Sequence, residues 1–116
     1  MTINSKQIIC ALDFDDFLKA ENFIKTINYD IVYKVGMEFF YRFGIEGIRK
    51  ISSLRKDIKL FLDLKLHDIP NTVERAIYPL VTNIRPYMLT LHVTGGKKML
   101  QNAVFAATEA SKNINI

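Results

Sequence analysis

Cysteine is nearly absent from this 116-residue chain: Cys10 stands alone. One thiol excludes an intramolecular disulfide and a thiolate metal cage, and it suits a reducing compartment. Its setting, Ile8-Ile9-Cys10-Ala11-Leu12, marks it as a buried, inert side chain. Proline and glycine are also scarce, at three and five residues, and no Pro/Ser-rich linker or low-complexity stretch divides the chain. A single domain over residues 1–116 is therefore expected. No apolar run approaches the roughly 20 residues of a membrane span. The N-terminus lacks the longer apolar region and small-residue cleavage site of a secretory signal. The expectation is a soluble, cytoplasmic protein with no membrane partner. Charge of one sign is not concentrated either. The 16 Lys and Arg outnumber 12 Asp and Glu by only four, and Arg49-Lys50, Arg55-Lys56 and Lys97-Lys98 are the basic neighbours. Such scattered charge mildly attracts anionic ligands without forming a nucleic-acid stripe, so no nucleic-acid partner is expected.

What the chain does have is apolar mass, 49% of its residues, enough for a domain that buries about two-thirds of its unfolded surface. Its pattern alternates between two periods. Gln7 to Asp13, Ile31 to Val35, Ile58 to Lys65 and Tyr87 to Val93 are short apolar runs, the mark of strands covered on both faces. Between them apolar residues recur at helical spacing. Phe17, Ala20, Ile24 and Ile27 form one stripe, with Asp15 or Asp16 placed to cap it. Ile45, Ile48 and Ile51 form another, in a helix from about Met37 to Arg55 broken near Gly44. Val73, Ala76, Ile77, Leu80 and Val81 follow a start at Asn71, with Glu74 where a capping-box acid would sit. Met99, Ala103, Ala106, Ala107 and Ala110 follow Gly95-Gly96. Asn113 to Ile116 could begin a fifth strand. Strands alternating with helices across short loops predict βαβ units and a parallel sheet. Such a sheet is either small and open or half of an eight-unit barrel, which needs about 250 residues.

The polar residues inside these apolar runs fall at one place in each unit. Asp13 ends the first strand, Lys34 nearly ends the second, Asp63 and Lys65 end the third, and His92 nearly ends the fourth. In parallel α/β folds that rim is where ligands bind. Asp63 and Lys65 are two apart and so share a face, while Leu60, Leu62 and Leu64 fill the other. Taken alone, Asp63 and Lys65 could be a buried pair that fixes strand register; Lys34 and Asp13 on neighbouring strands favour a site. Lys34, Asp63, Lys65 and Asp68 alternate in sign, and each would keep the next ionised. A lysine held protonated beside a carboxylate is a ready proton donor to a developing carbanion, and that carboxylate would repel a second one brought in by a substrate. His67 and His92 lie on different units without compact ligand spacing, beside a competing Lys65, so no metal is expected. Gly95-Gly96 reads as a tight turn, with phosphate approach the alternative.

ALDF at 11–14, YKVG at 33–36, DLKLHDIPNT at 63–72 and HVTGG at 92–96 resemble the orotidine 5'-phosphate decarboxylase family, in order and across essentially the whole chain from about Lys6. The third string is the specific one. The resemblance implies the first four βα units of a TIM (β/α)8 barrel, a truncated half-barrel of α/β class. It also implies decarboxylation of orotidine 5'-phosphate to uridine 5'-phosphate, without cofactor or metal. By position, Lys34, Asp63, Lys65 and Asp68 match the family's catalytic charge array, with Lys65 the proton donor to C6 of the pyrimidine and Asp63 beside the departing carboxylate. Asp13 and Lys34 match groups that hold the ribose hydroxyls. Asp68 and Thr72 match residues that reach into a neighbouring subunit's site, which implies a homodimer, or here a complementary C-terminal half-barrel.

The family's pyrimidine-contacting Ser or Thr follows the fifth strand, and its phosphate grip comes from late loops. The chain up to Ile116 includes neither, so alone it is expected to be weakly active or inactive and prone to associate. Two other readings stay open: a Mg²⁺-dependent sugar-phosphate lyase of a related barrel, against which Ile69-Pro70-Asn71-Thr72 argues, and an inactive half-barrel remnant.

Overall fold

The four apolar runs become four parallel strands, β1 (Ile9–Ala11), β2 (Val32–Gly36), β3 (Lys59–Leu66) and β4 (Met88–Leu91), hydrogen-bonded in the order β1-β2-β3-β4. They alternate with four helices, α1 (Phe17–Thr26), α2 (Met37–Ser52), α3 (Pro70–Ile84) and α4 (Lys97–Lys112). The computed structural model describes residues 2–112; Asn113 to Ile116, where a fifth strand could begin, lie outside the described residues.

Alternation along the strands decides which side is covered. Cys10, Tyr33, Val35, Leu60, Leu62 and Leu89 face the helices, in one core with Ala20, Ile24, Phe39, Ile48 and Ile51. A second core forms where the stripe of α3 (Val73, Ile77, Val81) meets the small-residue stripe of α4 (Met99, Ala103, Ala106, Ala110). Alanines on α4 leave no bulk between the two helices, so their axes can approach closely. The residues between those covered positions, Ile9, Ala11, Lys34, Phe61, Asp63, Met88 and Thr90, point to the opposite face. That face is not covered by helices, and Ile9 remains 47% exposed.

The ends of the elements show where local chemistry overrode period. Asp16 caps α1, its Oδ1 accepting from the N–H groups of Leu18 at 2.8 Å and Lys19 at 3.4 Å. The first strand is shorter than expected, because Ser5–Gln7 winds into a 3₁₀ turn capped by Asn4, whose N–H donates to Gln7 Oε1 at 2.9 Å. The fourth is also shorter, since Val93–Gly95 turns into a second 3₁₀ segment before α4. The third helix begins at Pro70, not Asn71, because proline fits a first helical position where its missing N–H costs nothing. Glu74 is then inside the helix and caps nothing; its Oε2 accepts from Asn102 Nδ2 at 2.8 Å and ties α3 to α4. Arg85, in the left-handed conformation at φ 55° and ψ 57°, ends α3 just before Pro86.

The break expected near Gly44 is real. Gly44 sits inside α2 at φ 65° and ψ −170°, a region essentially reserved for glycine. Apart from its chain neighbours and the adjoining helix backbone, nothing lies within 4 Å of where a Cβ would be, so the cost of adding one is backbone strain. Gly44→Ala should therefore lower stability by about 1–3 kcal/mol, read as a fall in the urea midpoint. An unchanged midpoint would contradict the kink's dependence on glycine.

Candidate active site

The chemistry gathers where β3 and β4 fall out of step. Leu62 pairs with Leu89 and Leu66 with Leu91, so Asp63, Leu64 and Lys65 of one strand face Thr90 of the other. The extra residues bulge, and Lys65 takes a left-handed backbone at φ 51°. The simple alternation that put Asp63 and Lys65 on one face is therefore broken here, yet the bulge still brings them together. Lys65 Nζ donates to Asp63 Oδ2 at 2.8 Å. The backbone N–H of Lys65 donates to Thr90 Oγ1 at 3.0 Å, and the Thr90 hydroxyl donates to Asp63 Oδ1 at 2.9 Å. From β2, Lys34 Nζ lies 3.7 Å from the same Asp63 Oδ2.

Both oxygens of Asp63 are thus engaged, one by a hydroxyl and one by two ammonium groups. The Asp63 side chain is 14% exposed, against 32% for Lys34 and 51% for Lys65. Its carboxyl is held below the usual carboxylate range, first by the hydrogen bond from Lys65; burial pushes the other way, and the Thr90 hydrogen bond and the charges of Lys65 and Lys34 add to the lowering. Within this cluster two cations share one anion, so one positive charge is left over beside Asp63, suited to an anionic group.

The remaining candidates are placed differently. Asp13 is exposed just past β1. The Leu12 N–H bonds the Lys34 carbonyl at 2.8 Å, which brings Asp13 to the rim beside Lys34, although Asp13 makes no ion pair among the described residues. Of the array expected of Lys34, Asp63, Lys65 and Asp68, the first three meet within this chain. Asp68 lies exposed in the loop to α3, its Oδ1 accepting from the Ile69 N–H at 2.7 Å, and among the described residues it pairs with no lysine. Thr72 is exposed in the first turn of α3. His67 and His92 are closer than their separation in sequence suggested, with ring centroids 5.3 Å apart, because β3 and β4 are neighbours. Among the described residues no group of three or more His, Cys, Asp or Glu could hold a metal ion. Away from the rim, an apolar hollow of about 280 Å³ between α2 and α3 is lined by Met37, Phe40, Tyr41, Ile45, Pro79 and Leu80 among others.

Thr90 is the member that the sequence reading missed. A signal was present: a polar residue between Leu89 and Leu91, two positions before His92, on the uncovered face. It carries no charge, and an uncharged hydroxyl in an apolar strand does not stand out as the Asp and Lys residues do.

Asp63 has a lower pKa folded than unfolded, so in acid the unfolded chain binds the extra proton. Its stabilisation is complete above the ordinary carboxylate pKa and is lost as pH falls through the folded value. Thermal unfolding of the chain and of Asp63→Asn should show a stability gap at neutral pH that closes below about pH 4. A gap that stays constant into acid would contradict an ionised, paired Asp63.

Known proteins match the chain in sequence and in fold. The model of the orotidine 5'-phosphate decarboxylase / HUMPS family matches residues 6–115. The orotidine 5'-phosphate decarboxylase of Carboxydothermus hydrogenoformans is 44% identical over 110 residues, which cover 93% of this chain and 44% of that protein. That of Malacoplasma penetrans is 38% identical over 115 residues, covering 98% and 48%. Among solved structures, the orotidine 5'-phosphate decarboxylase of Lactobacillus acidophilus matches with a TM-score of 0.74 at 35% identity, over 86% of this chain and 46% of that one. An uncharacterized conserved protein from Geobacillus kaustophilus matches with a TM-score of 0.82 at 31% identity, over 93% and 49%. The chain spans about half the length of these relatives, and its four strand-helix units correspond to half of a TIM barrel. Matched along nearly all of its length, the chain belongs to the orotidine 5'-phosphate decarboxylase / HUMPS family.

Proposed function

We propose that the chain carries the reaction centre of an orotidine 5'-phosphate decarboxylase, which releases CO2 from orotidine 5'-phosphate and leaves uridine 5'-phosphate. The observation that carries this reading is one carboxylate, Asp63, holding two ammonium groups at the C-terminal rim of a parallel sheet. Loss of CO2 breaks the bond between C6 and the carboxyl carbon and leaves the electron pair on C6. The Lys65 ammonium supplies the proton that closes the new C6–H bond, and its amine is reprotonated from water. Asp63, held ionised, faces the substrate carboxylate with like charge; that repulsion is relieved as neutral CO2 departs, so it acts on the ground state and not on the transition state. Proton and electrons balance without a redox partner, and the route asks no cofactor or metal of the chain.

Asp13 and Lys34 are placed on the rim to hold the ribose hydroxyls. Asp68 and Thr72 act across an interface, in the site of a second copy. Their exposure, and the absence of a lysine partner for Asp68 among the described residues, support that reading. The loops that grip phosphate in the family fall in the half of the relatives that this chain does not match. Remote contacts to phosphate position and activate the reacting ring, so a complementary four-unit half-barrel is the partner that makes the site efficient.

The test is CO2 release from carboxyl-labelled orotidine 5'-phosphate, by the chain alone and after mixing with the separately expressed second half of the Carboxydothermus relative. Mixing should raise the release, and Lys65→Ala should lower it by about a hundredfold or more. No release from either sample, release that survives Lys65→Ala, or a strict requirement for Mg²⁺ would each overturn the reading.

A further inference from the structure

We infer that Thr90 is the positioning residue of this site: its hydroxyl stands in for a missing rung of the β3–β4 ladder and thereby sets the Lys65 ammonium against Asp63. The consequence for catalysis rests on the decarboxylase reading; the positioning itself does not. Between Leu62 and Leu66 the ladder has no regular partner for β3, because three residues face one. A backbone N–H in such a gap needs an acceptor from elsewhere. For Lys65 that acceptor is Thr90 Oγ1, at 3.0 Å.

The left-handed backbone of Lys65 is disfavoured for a residue with a Cβ and persists only where its surroundings hold it. The Thr90 bond is the hold. The same hydroxyl then donates its proton to Asp63 Oδ1 at 2.9 Å, which fixes the carboxylate plane and leaves Oδ2 for the two lysines. A closed circuit results: Thr90 to Asp63, Asp63 to the Lys65 ammonium, and the Lys65 N–H back to Thr90. Only a group that accepts and donates at once can close it. Valine has the shape of threonine but neither capacity. Serine has both, with a freer χ1, since threonine is β-branched. The placement also suits a part-buried residue, because Thr90 lies on the uncovered face between Leu89 and Leu91, which both pack against the helices.

The test compares the chain with Thr90→Val and Thr90→Ser by NMR, following the titration of the Asp63 carboxyl carbon and hydrogen exchange at the Lys65 amide. In the wild-type chain the Lys65 amide should exchange slowly even though its residue is exposed. In Thr90→Val the Asp63 midpoint should move up toward the ordinary aspartate value, and the Lys65 amide should exchange roughly tenfold faster. Thr90→Ser should keep both near wild type. A space-filling role would leave both unmoved in Thr90→Val, and that result overturns the proposal. Should Thr90→Val fail to fold, fast exchange of the Lys65 amide in the wild-type chain overturns it equally, and slow exchange there supports it. These readouts need no turnover, so a failure of CO2 release both by the chain and by its mixture with the second half would count against the decarboxylase reading alone. With turnover present, Thr90→Val should lower kcat more than it raises KM, and Thr90→Ser should restore it.

Discussion

A carboxylate near the end of a largely apolar strand stays ionised only if donors and cations reach it, and that constraint shapes this molecule around Asp63. Three elements meet it. β2 sends Lys34, the bulged end of β3 turns Lys65 back on its own strand, and β4 supplies Thr90. None of these could meet without the parallel order β1-β2-β3-β4, which places β3 between the strands that carry its partners. The helices contribute indirectly. By covering Leu60 and Leu62 on one face, they force Asp63 onto the other.

The opposite end of the sheet shows what a merely structural ion cluster looks like in the same fold. Lys59, at the start of β3, places Nζ 3.0 Å from both oxygens of Asp30, with Lys6 Nζ 3.9 Å from one of them. There the acid is half-exposed and the cations come from the ends of elements. Solvated pairs of this kind contribute about 0–1 kcal/mol. The rim cluster differs in being built on a backbone distortion, an arrangement that stability alone does not require.

Much of this was legible in the sequence because strand and helix periods are local. The two-residue spacing of Asp63 and Lys65, the stripes of α3 and α4 and the break at Gly44 all follow from neighbours along the chain. What was not legible depends on pairing between strands. The mismatch that faces three residues of β3 with one of β4 has no local signature, so neither the bulge nor the role of Thr90 could be read. Glu74 was misplaced for a smaller reason: Pro70 took the first helical position and moved the cap ahead of Asn71.

The lysine-paired Asp63, the uncovered sheet face and the exposed Asp68 loop are what the proposed completion of the site by other βα units rests on. In the proposed function the rim at Asp63, and not the apolar hollow between α2 and α3, receives a pyrimidine nucleotide. The most direct measurement is an NMR titration of the amide resonances of the chain with uridine 5'-phosphate. Saturable shifts concentrated at Lys34, Asp63, Lys65 and Thr90, weakened by Asp63→Asn, are the expected result. Shifts confined to the residues of the apolar hollow, or none that saturate, would contradict it.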